Sequence, residues 1–192
     1  LVGQNELPEA VEVLTRARRV CHEVGMMNAW VSPVLPWMAT ALRLQVVQST
    51  GLIPIRRNRL LNRARRVARQ AVSVARNFKT DLPHALREAG LVAAMRGKIA
   101  KAQRLLDESL AVAKAQGAHF EHAQSLLARG RVGMEFDRPG AAEDVAAARQ
   151  ALRSLGGDFI LEEAKEAQAE PAKTATLSLV DRFDTVLVVG RR

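Results

Sequence analysis

The stretch Ala102-Gln103-Arg104-Leu105-Leu106-Asp107-Glu108-Ser109-Leu110-Ala111-Val112-Ala113 sets Ala102, Leu106, Ser109 and Ala113 at steps of four, three and four residues. That spacing puts one small or apolar side chain per turn on a single helical face. The same pattern reads through Ala10, Leu14, Ala17 and Cys21, through Ala64, Ala68, Ala71 and Ala75, and through Ala141, Val145, Ala148 and Leu152. Successive copies lie 54, 38 and 39 residues apart. A period near forty marks helical hairpins that bury their apolar faces only against one another. The expected fold is all-α, a right-handed α-α superhelix of about three and a half antiparallel hairpins over residues 1–157, with an insertion near 31–56 in the long first interval.

Working outward, punctuation agrees with the period. Pro8 opens a first helix that Gly25 stops, and Pro33 and Pro36 delay the next helix until about Leu35. A basic helix then covers roughly 55–78. Thr80 or Asp81 is placed to cap a helix that carries Pro83 in its first turn and ends at Gly97. Helices at 99–116, 120–134 and 141–155 follow, separated by Gly117 and by the turn Asp137-Arg138-Pro139-Gly140. Beyond Gly157 the period stops: 158–176 reads as a short helix and linker, and 177–192 as a connecting helix whose apolar stripe runs uncapped to the last residue. Both ends therefore read as cut from a longer protein.

Composition points the same way. The chain is 48% hydrophobic but only 4% aromatic, so its core rests on Ala and Leu, which suit close helix packing. The single Cys21 leaves no disulfide framework and falls on the buried stripe, where it reads as a small hydrophobe. No run of about 18 apolar residues is present to span a membrane, so a cytoplasmic protein without membrane insertion is expected.

Charge is concentrated. Through Lys79 thirteen Lys or Arg face four acids, a difference of 9 that equals the whole net charge of +9. No acid occurs between Glu23 and Asp81. Arg56, Arg59, Arg63 and Arg66 step by three and four residues and form one ridge, able to meet an acidic protein partner or nucleic acid phosphates. No aromatic residue interleaves with the ridge to stack bases, so a solvated or intramolecularly docked face is the first reading, a protein partner the second, and a basic nucleic-acid-binding module on the 56–76 helix the alternative.

Around residues 83–117, Gly90 stands at a close helix crossing and Ala102 twelve residues later, with Leu86 and Leu106 at large apolar positions. This arrangement resembles a tetratricopeptide repeat. The segments Lys101–Leu110, Gly117–Ala123 and Leu179–Leu187 resemble the region that joins such repeats to a GAF domain in large bacterial signalling proteins, where a signalling ATPase precedes and a sensor histidine kinase follows. The resemblance implies a non-catalytic scaffold that binds a protein or peptide segment, or neighbouring domains of its own chain, and relays a signal.

The search for chemistry supports a non-enzyme. There is no Gly-x-x-x-x-Gly-Lys-Ser or Gly-x-Gly-x-x-Gly loop, and neither Ser73 nor Ser109 sits in a nucleophile elbow. His119 and His122 lie three apart without a third ligand, and acid pairs such as Asp107-Glu108 diverge around their helix, so no metal or cofactor is expected. Polar positions on the first helices of the hairpins, Arg87, Arg96, Gln124 and Arg131, are the candidate groove residues. Trp30 and Trp37 are read mainly as a plug that fixes the insertion, and as peptide anchors if exposed.

Overall fold

The computed structural model describes residues 2–3, 6–25, 28, 31–49 and 53–155. The expectations for Trp30, for 158–176 and for 177–192 lie outside the described residues. Within them the chain is all-helical: α1 (Leu7–Glu23), α2 (Val34–Gln48), α3 (Pro54–Ala75), a 3-10 turn at Lys79–Asp81, α4 (Leu82–Met95), α5 (Ile99–Ala115), α6 (His119–Glu135) and α7 (Ala141–Ser154). Prolines occupy the first turns of α1, α3 and α4, where a missing N–H costs nothing. Gly97, Gly117 and Gly140 take positive φ between helices, which a side chain would resist.

Each helix packs on its neighbours in sequence, and α2, α4 and α6 also pack on one another in succession. No comparable packing joins α3 to α5 or α5 to α7. The even-numbered helices therefore form an inner row, and the later odd-numbered helices stand apart from each other outside it. Burial follows this arrangement. Every residue of α4 is buried except Ala89, and α2 is buried from Leu35 to Val47 apart from the partly exposed Trp37 and Gln45. Helices covered on all sides must be apolar all round, which is why α2 and α4 lack the clean polar face that α3, α5 and α7 keep.

The stripe that decides the fold is buried where it was expected on α3, α5 and α7: all twelve of its residues are inside. On α1 only Ala10 is fully buried, and Leu14, Ala17 and Cys21 are partly exposed. Cys21 is thus not the core residue that its place on the stripe suggests, because among the described residues α1 packs mainly on α2. Among the described residues the long first interval holds a single helix, α2, as each later interval does. Its additional length comes from the connection after α1 and from α3, which begins ten residues before Ala64, whereas α5 begins three before Ala102.

Small residues set the approach of the helices within the last two hairpins. A Cβ on Gly90 would stand 2.9 Å from Leu106 Cγ, and one on Gly130 would stand 2.9 Å from the Ala141 carbonyl oxygen and the Val145 nitrogen. Gly90 and Gly130 thus fill the same place in consecutive hairpins, and the sequence can be laid on itself with a shift of about forty.

Candidate functional site

Two regions collect the polar and charged side chains. The first lies inside, along α2, α4 and α6. Arg43 of α2 donates from Nε to Glu88 Oε2 at 2.7 Å and from Nη2 to Oε1 at 3.3 Å, a fork in which both side chains are buried. Burial raises the Glu88 carboxyl, but the Arg43 charge and hydrogen bonds outweigh it and hold the group below its ordinary range. Beside this pair the Thr40 hydroxyl lies 2.9 Å from His84 Nε2, and the Trp37 ring meets the His84 ring edge-on at 4.9 Å. Desolvation, helped by the Arg87 charge, pushes His84 down to about 4. It is a neutral core histidine.

Arg87 continues the row to α6, where it pairs with Glu121 and comes within 3.5 Å of Ser125 Oγ. Ser125 and Ser109 share a hydrogen bond of 2.7 Å, and Ser109 Oγ donates to the Pro83 carbonyl at 2.7 Å. Asp81 stands at the N-terminus of α4 without capping it, because its carboxylate accepts from Ser32 instead. Burial raises its carboxyl against that hydrogen bond. Every one of these groups is satisfied within the fold, so the row is a structural spine.

The expected groove residues therefore separate. Arg87 and Gln124 are buried, Arg87 in the Glu121 pair, because the first helices expected to line a groove form the most enclosed layer of the described residues. Arg131 lies on α6, partly exposed and engaged in interactions of its own. Trp37, partly exposed on α2, packs edge-on against His84 of α4. Arg96 reaches an open site.

That site is the second region, a cleft of about 660 Å³ between α3 and α5 whose floor is α4. Along α3 its wall carries Arg65, Arg69 and Arg76; Arg96 closes one end; Lys98 and Lys101 line the α5 side. The rest is apolar: Ala68, Val72, Ala89, Val92, Ala93 and Leu105, with Ser73 the one small polar residue. Six cations and no carboxylate line this space. Arg76 approaches Glu108 at the rim, 3.9 Å away, and Arg96 donates to Asn62 Oδ1 at 2.7 Å. Arg65, Arg69, Lys98 and Lys101 make no ion pair with any described residue. Unpaired cations over low-dielectric walls focus a positive potential into the opening.

The ridge Arg56, Arg59, Arg63 and Arg66 lies on a different row of α3. Arg63 donates to Thr15 Oγ1 of α1 at 3.2 Å, while Arg56, Arg59 and Arg66 remain exposed outside the cleft. The cleft's own row is Arg65, Arg69 and Arg76, spaced by four and seven. Which arginine row meets the neighbouring hairpin depends on how α3 crosses α4, and local spacing does not carry that.

No group of three or more His, Cys, Asp or Glu among the described residues is placed to hold a metal ion. No helix among the described residues is long and apolar enough to cross a membrane. Compared with protein-family models, with curated proteins and with solved structures, the chain matches none.

Proposed function

We propose that this chain is a non-catalytic scaffold of tetratricopeptide-like hairpins, wound as a right-handed solenoid, that binds an acidic segment of a protein partner in the cleft between α3 and α5. In the same reading it relays that binding to neighbouring domains of a larger bacterial sensor protein, of the sensor-kinase type that the sequence resembles. The order of packing supports the repeat reading, since hairpins follow one another with their first helices in one continuous row.

The observation that carries the functional reading is the cleft itself: four cations that pair with no described residue, around an apolar floor, with no acid among its lining residues. Cations alone suit any polyanion. The floor favours a protein, because apolar side chains have apolar partners to meet there and no aromatic residue lines the cleft to stack a base.

Fluorescence anisotropy with a labelled Glu-rich peptide and with labelled single-stranded and duplex DNA, across a range of salt, tests this. The peptide is expected to bind and to be lost with Arg65→Glu and Arg69→Glu, whose side chains face the cleft. Micromolar DNA binding with a steep salt slope, abolished by Arg59→Glu and Arg63→Glu on the ridge, would replace the scaffold by the nucleic-acid module.

A further inference from the structure

The cleft has a counterpart one hairpin further on, and the counterpart is closed. Arg129 of α6 donates from Nη1 to Asp107 of α5 at 2.9 Å, and from Nε and Nη2 to the two carboxylate oxygens of Asp144 of α7 at 2.8 Å each. Arg138 adds a further bond to Asp144. These bonds hold the Asp144 carboxyl below its ordinary range despite partial burial. One arginine on the inner helix thus clamps the two outer helices across the gap.

The repeat register places this clamp on the cleft. Gly130 corresponds to Gly90, a shift of 40, so Arg129 corresponds to Ala89. Ala141 corresponds to Ala102, a shift of 39, so Asp144 corresponds to Leu105. Ala102 corresponds to Ala64, a shift of 38, so Asp107 corresponds to Arg69. Arg69, Ala89 and Leu105 all line the cleft. The acid–arginine–acid bridge of one gap is an arginine, an alanine and a leucine in the other. The bridging side chain is gone, one carboxylate has become a cation, and the other has become an apolar contact.

We infer that the occupant of the cleft, on the scaffold reading above, is an amphipathic helix of a partner protein whose apolar stripe, bordered by carboxylates, takes the place left by the missing clamp. Three observations shape this choice. The cations run in two rows, Arg65, Arg69 and Arg76 along α3 and Lys98 with Lys101 on α5, with the apolar strip between them. The first row spans eleven residue steps from Arg65 to Arg76, about 16 Å at the rise of an α-helix. The walls are helices whose backbone groups are bonded internally, so the cleft has no strand edge to pair with an extended chain. A helix satisfies its own backbone and presents side chains alone, which is what such a groove accepts.

The experiment uses three synthetic peptides of about 16 residues, long enough for partial helicity. One carries Leu at helical spacing with Glu on both borders; the second replaces each Leu by Ala; the third scrambles the first. Each is titrated against the full chain and against the triple variant Arg69→Asp, Ala89→Arg, Leu105→Asp, which transplants the clamp. The first peptide is expected to bind at least about tenfold more tightly than the other two. The transplant is expected to abolish that binding while far-UV circular dichroism stays helical. Should the transplant not fold, Arg65→Ala with Arg69→Ala takes its place, with a loss of at least about tenfold expected. Equal binding of all three peptides would overturn the amphipathic helix and leave the acidic-partner scaffold standing. Binding that survives both protein variants would overturn the site, and no binding by any peptide would overturn the scaffold reading as well.

Discussion

The gap between α3 and α5 and the gap between α5 and α7 are built from equivalent positions, yet one is crossed only by the loose, exposed Arg76–Glu108 pair at its rim and the other is clamped through its middle. The bridged gap is held at its surface by Arg129 between Asp107 and Asp144. The open one is held from beneath: its floor helix α4 is pinned to α2 by the buried Arg43–Glu88 fork and by the Thr40–His84 contact. Both inner helices are anchored from below, α4 to α2 by Arg43–Glu88 and α6 to α4 by Arg87–Glu121, so the difference shows that a repeat anchored in this way can do without the surface clamp, and the space released becomes available to a ligand.

The sharpest way to break this comparison is to cut the anchor. Glu88→Ala leaves Arg43 buried without a counter-charge, and chemical denaturation is expected to show a loss of about 3–5 kcal/mol. A loss under about 1 kcal/mol would mean that the floor does not hold the cleft open.

Acid is the second test of the floor. His84, faced by Arg43, Arg87, Glu88 and Glu121, stays neutral in the fold down to about 4, against 6.5 when unfolded. Between those values the unfolded chain binds the extra proton, so stability falls as pH drops from 6.5 toward 4 and is regained on the way up. The size at full effect is about 3 kcal/mol. Asp81, whose carboxyl is raised, works in the opposite direction and offsets part of it. Melting temperature against pH for the parent chain and for His84→Gln checks this, the variant being expected to show the flatter curve.

Comparing the two glycines tests the hairpins themselves. At Gly130 an added methyl meets backbone atoms, whereas at Gly90 its nearest neighbour is the flexible Leu106 side chain. Gly130→Ala is expected to cost about 2–3 kcal/mol and Gly90→Ala about 1, read from urea midpoints. The reverse order would mean that the two crossings are not equivalent.

The smallest effects separate the gaps directly. Arg129→Ala removes a partly buried bridge and is expected to cost about 1–2 kcal/mol. Arg69→Ala in the open gap removes an unpaired cation and is expected to change stability by less than about 0.5 kcal/mol. Equal losses at the two positions would show that the cleft is bridged in solution.

Much of the fold was legible because its signals are local. Prolines, glycines and the 3.6-residue period mark the seven helices to within a few residues, and the small-residue stripe falls inside on α3, α5 and α7. The site was far less legible. Arg87 meets Glu121 across 34 residues and two helices, and nothing in the surroundings of Arg87 announces that pairing. The roles of His84 and Glu88 are hidden for the same reason, since their partners Thr40 and Arg43 sit 44 and 45 residues away. The signal that does exist is comparative: laying the chain on itself turns Arg129, Asp107 and Asp144 into Ala89, Arg69 and Leu105. A charge swap between equivalent positions marks the cleft, whereas the density of arginines on α3 points to the row outside it.

Ala89, the single residue of α4 that remains partly exposed, therefore behaves as a valve. A graded series at this position, from Ala through Val and Leu to Arg, would shut the opening stepwise without touching a cation, and would tune affinity by steric bulk alone.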